Sequence, residues 1–272
     1  MKKLLPLVAA MALASQAAYA DINNSATTKQ DGSGNAASTT QTNLTDSEAI
    51  ITQTGDDNKS EVSQIDSTEA VATVSTKGND NIANILQNAT THVNASITQD
   101  GERNKAYTDQ FTNTAESTAT VTQTGDKNKA GIHQKFHTGG ATASISQVDS
   151  LDAVAFIYQK DADNSNATIT QSNWGSESLN TAEIRQDIGD NLQGSIIQNS
   201  TVNDTALIEQ TGLNQTANIT QKNYNLGGIT EILQAGSEHT ADITQQGSGG
   251  STAKIDQDDA LSVNNDADII QT

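Results

Sequence analysis

The chain has 272 residues, only 33% of them hydrophobic and 3% aromatic, with 14 basic residues against 33 acidic and no cysteine. So acidic a balance disfavours nucleic acid and anionic surfaces as partners, and without cysteine no disulfide framework or thiolate metal site can be built. Composition alone would favour a disordered polar tract, but the placement of the few Ala, Ile and Val residues argues for order.

Residues 1–20 read as a secretory signal peptide. Lys2 and Lys3 precede an apolar run from Leu4 to Ala14, and Ala18, Tyr19 and Ala20 form a small-x-small cleavage site. Taking Lys2 and Lys3 from the 14 basic residues leaves 12 against 33 acidic, a net charge of −21. No later stretch approaches the roughly 20 apolar residues of a membrane helix, so the expectation is an exported chain without membrane insertion.

Residues 21–272 are repetitive. Glutamine recurs as Gln30, Gln41, Gln53, Gln64, Gln87, Gln99, Gln110, Gln123, Gln134, Gln147, Gln159, Gln171, Gln186, Gln198, Gln210, Gln221, Gln234, Gln245, Gln257 and Gln271. With Thr76 filling one gap these make 21 positions spaced 11 to 15 residues apart. Four residues earlier stands Ala in 18 of 21 cases, the exceptions being Ser60, Gly194 and Thr230; two residues earlier stands Ile or Val in 18, the exceptions being Thr28, Thr39 and Thr108. The resulting pattern, small-x-Ala-x-Ile-x-Gln, alternates strictly and predicts strands with one buried face.

Ser117 to Gln134 shows the unit most cleanly, as two such strands joined by a tight connection. Strands this short and polar are not stable singly, which makes stacking obligatory. The predicted fold is therefore all-β, a cross-β solenoid of about ten two-stranded rungs. Across each rung large faces small, Val121 opposite Ala130 and Ala119 opposite Ile132, giving a dry, evenly spaced core. Amides at the same point of each rung, the glutamines together with Asn58, Asn81, Asn104 and Asn128, would pair as in-register ladders, because a buried amide without partners is costly.

Gly55, Gly78, Gly101, Gly125, Gly212 and Gly236, with Gly32 and Gly247, each stand two residues after a strand end, where a tight reversal calls for positive φ. Three strand ends fall between Gln159 and Gln210, and the connection after Gln171 is long. This predicts a phase break around 171–200, with the strand of Gln171 or Gln198 unpaired or later repeats exchanged between sheets. Trp174, in that connection, reads as an exposed aromatic.

Outward positions form a hydroxyl array on one sheet, namely Thr73 and Ser75, Ser96 and Thr98, Thr120 and Thr122, Ser144 and Ser146, Thr168 and Thr170. On the other sheet Val154, Phe156 and Tyr158 form an apolar patch suited either to lateral contact between filaments or to packing on a local loop. No catalytic constellation emerges, and neither enzyme activity nor a cofactor is expected. His133 and His137 share an i, i+4 spacing without further ligands, and Asp56, Asp57, Asp258 and Asp259 read as solvated turn charges.

The spacing Ser-x5-Gln-x4-Asn-x5-Gln, intact as Ser47, Gln53, Asn58, Gln64 and as Ser117, Gln123, Asn128, Gln134, resembles the curlin repeat of bacterial curli fibres. The likeness extends over residues 24–271, since the glycine, alanine and isoleucine phases agree as well. It implies a secreted structural subunit that polymerises end to end into extracellular amyloid fibres at the bacterial cell surface, serving adhesion and the biofilm matrix. It further implies the chain itself, other curli subunits and an outer-membrane secretion pore as partners. The array is longer and less regular than in the best-known subunits, and no glycine-rich segment precedes the first repeat. A monomeric solenoid binding ice or a glycan through the hydroxyl array is the alternative reading.

Overall fold

The computed structural model describes residues 23–112, 114–172, 179–223, 226–247, 249–257 and 264–272. The predicted signal peptide, Trp174, Asp258 and Asp259 lie outside the described residues. Within them there are 21 strands. One sheet contains the odd strands β1 (Ser25–Asp31), β3 (Glu48–Thr54), β5 (Val71–Asn79), β7 (Asn94–Glu102), β9 (Thr118–Asp126), β11 (Thr142–Leu151), β13 (Asn166–Ser172), β15 (Gln193–Asn199), β17 (Thr216–Lys222), β19 (Thr240–Gln246) and β21 (Asp266–Gln271). The other contains the even strands β2 (Ala36–Thr42), β4 (Lys59–Ile65), β6 (Ile82–Asn88), β8 (Lys105–Phe111), β10 (Lys129–Lys135), β12 (Val154–Asp163), β14 (Thr181–Asp190), β16 (Thr205–Leu213), β18 (Ile229–Ser237) and β20 (Thr252–Gln257).

Each of the 21 periodic Gln or Thr positions falls in its own strand, and every pairing is parallel and in register up to the periodic position, mostly Ala over Ala and Gln over Gln, as in Ala119↔Ala143 and Gln123↔Gln147. Strands adjacent in sequence do not pair. They face each other across the core, so β9 bonds to β7 and β11 while β10 bonds to β8 and β12. The fold is an all-β solenoid whose sheets have 11 and 10 strands. Alternating Ala and Ile or Val side chains fill the space between them, and most are fully buried, including Ile51, Ile97, Ile132, Ile157, Ile184 and Ile208. Burying each such branched side chain contributes roughly 1.5–3 kcal/mol.

The predicted phase break is corrected. β13, with Gln171, pairs β11 and β15, and β15, with Gln198, pairs β13 and β17, so neither strand is unpaired and no repeat changes sheet. What changes is the pair of edges where the chain crosses between sheets. At the odd-to-even edge the first rungs turn on Gly32, Gly55, Gly78, Gly101 and Gly125, with φ from 98° to 129°. A Cβ on Gly78 would sit 2.1 Å from the Gly101 carbonyl oxygen, so the column admits only glycine. At the even-to-odd edge those same rungs cross by wider loops stacked through Thr45, Thr68, Thr91, Ala115 and Gly139.

Further along, the two edges exchange character. Gly189, Gly212 and Gly236 now stack at the even-to-odd edge, and a Cβ on Gly212 would lie 1.9 Å from the Gly236 oxygen. The wide loops, stacked through Val202, Leu226 and Gly249, move to the odd-to-even edge. Gly247, expected among the tight-turn glycines, belongs to this wide edge and has φ 65°. Strand alternation persists while turn chemistry shifts by half a repeat, which the spacing of the glycines alone presents as a lost strand.

Candidate functional site

The recurring glutamines form two amide ladders that run the length of the solenoid. In the even sheet Gln41, Gln64, Gln87, Gln110, Gln134, Gln159, Gln186, Gln210, Gln234 and Gln257 make an unbroken series. In it the Nε2 of each donates to the Oε1 of the next at 2.8–3.1 Å. In the odd sheet Gln30 donates to Gln53, and a second series runs through Gln99, Gln123, Gln147, Gln171, Gln198, Gln221, Gln245 and Gln271 at 2.7–3.1 Å. The second amide proton crosses between sheets, as from Gln64 to the Glu48 carbonyl at 3.1 Å and from Gln123 to the Lys105 carbonyl at 3.2 Å. Both donors are thus used inside a dry core, which removes the desolvation penalty.

Thr76 interrupts the odd ladder. Gln53 then turns its Nε2 to the Ser60 hydroxyl at 2.9 Å, while Thr76 Oγ1 and Gln99 Oε1 are buried without hydrogen-bond partners. Two departures from the repeat, Ser60 and Thr76, are therefore one linked substitution. Sequence shows both as exceptions but not that Gln53 joins them, because they lie on different strands in adjacent rungs.

The asparagines pair both with each other, Asn58 Nδ2 donating to Asn35 Oδ1 and Asn81 Nδ2 to Asn58 Oδ1, each at 3.1 Å, and with backbone. Asn58 Nδ2 donates to the Gly78 carbonyl at 2.7 Å, and Asn81 Nδ2 to that of Gly101 at 2.8 Å, while Asn58 Oδ1 accepts from the Asn81 N–H at 3.1 Å. Asn104 and Asn128 repeat the arrangement toward Gly125 and Ser150. They are staples across the glycine edge. After the exchange of edges Gln215 takes the same part, donating to Gly236 at 3.2 Å and Thr211 at 3.0 Å.

Turn carboxylates also join rungs. Asp56 accepts from the Ser33 N–H and hydroxyl, both at 2.8 Å, and these bonds hold its carboxyl below the usual aspartate range. The sequence reading as a merely solvated charge missed this link.

On the outer face of the even sheet, Phe156 and Tyr158 pack sideways against neighbouring strands, not against a loop. His133 stacks on Tyr158 with centroids 5.0 Å apart, Tyr107 lies 5.0 Å from His133, and Phe156 lies 6.1 Å from Tyr107. Lys129 Nζ stands 5.2 Å over the Phe156 ring, and Val154 heads the same strand, half-buried. Gly131 makes room for this, since a Cβ there would be 2.3 Å from Tyr107 Cζ. A glycine between aromatic neighbours on adjoining strands was the available signal for the cluster. Burial pushes the Tyr107 phenol up to about 12, helped by the neighbouring Tyr158 and Asp109. His133 Nδ1 lies 2.9 Å from Asp109 Oδ2 without hydrogen-bond geometry, whereas His137 turns to Asp161. On the odd sheet the five hydroxyl pairs from β5 to β13 stand in register.

Among the described residues, the strands at both ends of the solenoid have a neighbour on one side only. β1 and β2 close one end, β20 and β21 the other. The curlin-associated repeat family matches residues 23–65 and 114–148. The chain carries curlin-associated repeats in these two segments. Both lie before the exchange of edges, and the same in-register rung geometry continues beyond them to Gln271. No curated protein matches the chain significantly. Among the described residues, no helix is long and apolar enough to cross a membrane.

Proposed function

We propose that the protein is a structural subunit that polymerises end to end into extracellular amyloid fibres of the curli type, serving surface attachment and the biofilm matrix. The observation that carries this reading is the pair of open ends. Each end presents unpaired parallel strands, and the amide ladders stop there without a partner, the arrangement that natural proteins otherwise cover or blunt. A second copy supplies both the strand and the amides. The net acidic charge opposes association at low salt and less so when screened.

Curlin repeats support the extracellular setting, with other curli subunits and an outer-membrane pore as partners, and the aromatic cluster around Phe156 offers a surface for lateral packing of fibres. The test is incubation of purified protein at neutral pH, followed by electron microscopy and fibre diffraction. Unbranched fibres with a reflection near 4.8 Å along the axis are expected. Protein that stays monomeric for days would overturn the reading, and thermal hysteresis or glycan binding by such a monomer would favour the in-register hydroxyl array as a binding face.

A further inference from the structure

Resting on the fibre reading, we infer that successive copies stack with a half-turn about the solenoid axis, β1 of one copy on β20 of the last and β2 on β21. The reason is parity. With 11 strands in one sheet and 10 in the other, a copy added by translation alone would set β1 on β21 and leave the even sheet one strand short at every junction. A half-turn sets the longer sheet of one copy on the shorter sheet of the other. Strand directions remain parallel, because the half-turn reverses the direction of each sheet as it exchanges them.

Three independent features agree with the half-turn. First, the exchange of edges inside the chain becomes intelligible. The half-turn puts the Gly32 to Gly125 edge of the added copy on the same side of the fibre as Gly189, Gly212 and Gly236 of the copy beneath, and the wide-loop edges on the opposite side. Translation would put glycine turns on the same side as wide loops at both edges.

Second, the ladders are polar, each Nε2 donating toward the C-terminal end. Gln257 and Gln271 have used one proton on the Thr240 and Thr252 carbonyls, and the half-turn brings Gln30 and Gln41 of the next copy over them as acceptors. Third, the outward positions match. Aligned on the glutamines, Lys29 falls opposite Asp256 and Ser38 opposite Asp268, whereas translation sets Lys29 opposite Ile270 and leaves Ser38 without a facing strand.

The native chain has no cysteine, so paired cysteines report the junction cleanly. In Thr27→Cys/Lys254→Cys the two thiols oppose each other about 5 Å apart only under the half-turn, within disulfide reach. In Thr27→Cys/Asp268→Cys they do so only under translation. The two ends of one molecule are roughly 50 Å apart at about 4.8 Å per strand layer, so any bond formed joins different copies. Oxidised fibres of the first variant are expected to run as a ladder of covalent multimers on a denaturing gel, and those of the second as monomer.

The reverse result, or equal cross-linking in both, or none in either, overturns the half-turn while leaving the fibre reading standing. Failure of the unmodified protein to form fibres overturns the reading itself, and the inference with it. Should the variants alone fail to assemble, helical reconstruction of unmodified fibres decides. A half-turn per subunit with a rise of about 50 Å is expected, and a subunit repeat without rotation refutes it.

Discussion

Thr76 leaves two polar atoms unpaired inside the core, its own Oγ1 and Gln99 Oε1, where every other rung of that sheet has a glutamine bridging its neighbours. Thr76→Gln supplies the missing donor and acceptor, joining Gln53 to Gln99. Relieving an unsatisfied buried group is worth about 1–3 kcal/mol, and the melting temperature is expected to rise accordingly. The gain should be coupled to Ser60. In the native background Ser60→Ala removes the hydroxyl that accepts from Gln53 and destabilises the protein, whereas with Gln at 76 the same change should cost almost nothing. A double-mutant cycle reads this directly; equal losses in the two backgrounds would refute the link.

At the level of the strand, the outer face of β8, β10 and β12 holds the aromatic cluster, and Tyr107 gives it a measurable signature. Burial beside Tyr158 and Asp109 pushes its phenol up to about 12, above the ordinary tyrosine value of about 10. The folded state therefore binds the phenolic proton more tightly than the unfolded chain. Its stabilising effect is complete below pH 10 and is lost as pH rises from about 10 toward 12. The difference between phenolate titrations of the native protein and Tyr107→Phe should contain a component centred near 12, and a component at 10 would contradict the assignment. Strands themselves were fully legible in the sequence, because each carries Ala, Ile or Val and Gln at fixed offsets on one face, and those offsets follow from the pleat. The glutamine ladders were legible for the same reason. Contacts between rungs were not. The staples from Asn58 to Gly78 and from Asp56 to Ser33, the Ser60–Thr76 link, and the room that Gly131 gives Tyr107 all join residues far apart in the chain whose pairing depends on register. The exchange of edges was misread as a phase break because the glycines were taken as one column when they form two.

At the scale of the whole molecule, the two ends differ in what they offer a neighbour. The inward column of Ile and Val begins with Thr28 and Thr39 at one end and finishes with Ile255 and Ile269 at the other, and Thr39 Oγ1 is buried without a partner. In a junction with the half-turn, Thr28 covers Ile255 and Thr39 covers Ile269, so each junction contains a threonine layer. Within a copy most of these layers are Ile or Val on Ile or Val, the exceptions being Thr28 on Ile51, Thr39 on Val62 and Thr108 between Ile85 and Ile132. Between copies, the threonines lower the affinity of the step that concentration controls. Thr28→Ile/Thr39→Val should strengthen each junction by roughly 1–3 kcal/mol of added apolar burial, which lowers the critical concentration for assembly about 5- to 150-fold. Sedimentation of fibres at equilibrium measures it, and an unchanged critical concentration would mean that the inward face of β1 and β2 is not part of the contact. In the single copy Thr28 lies on the exposed β1, so Thr28→Ile alone should change the monomer's own stability far less and separates the energetics of the junction from those of the fold, whereas Thr39→Val also removes a buried unpaired hydroxyl within the copy.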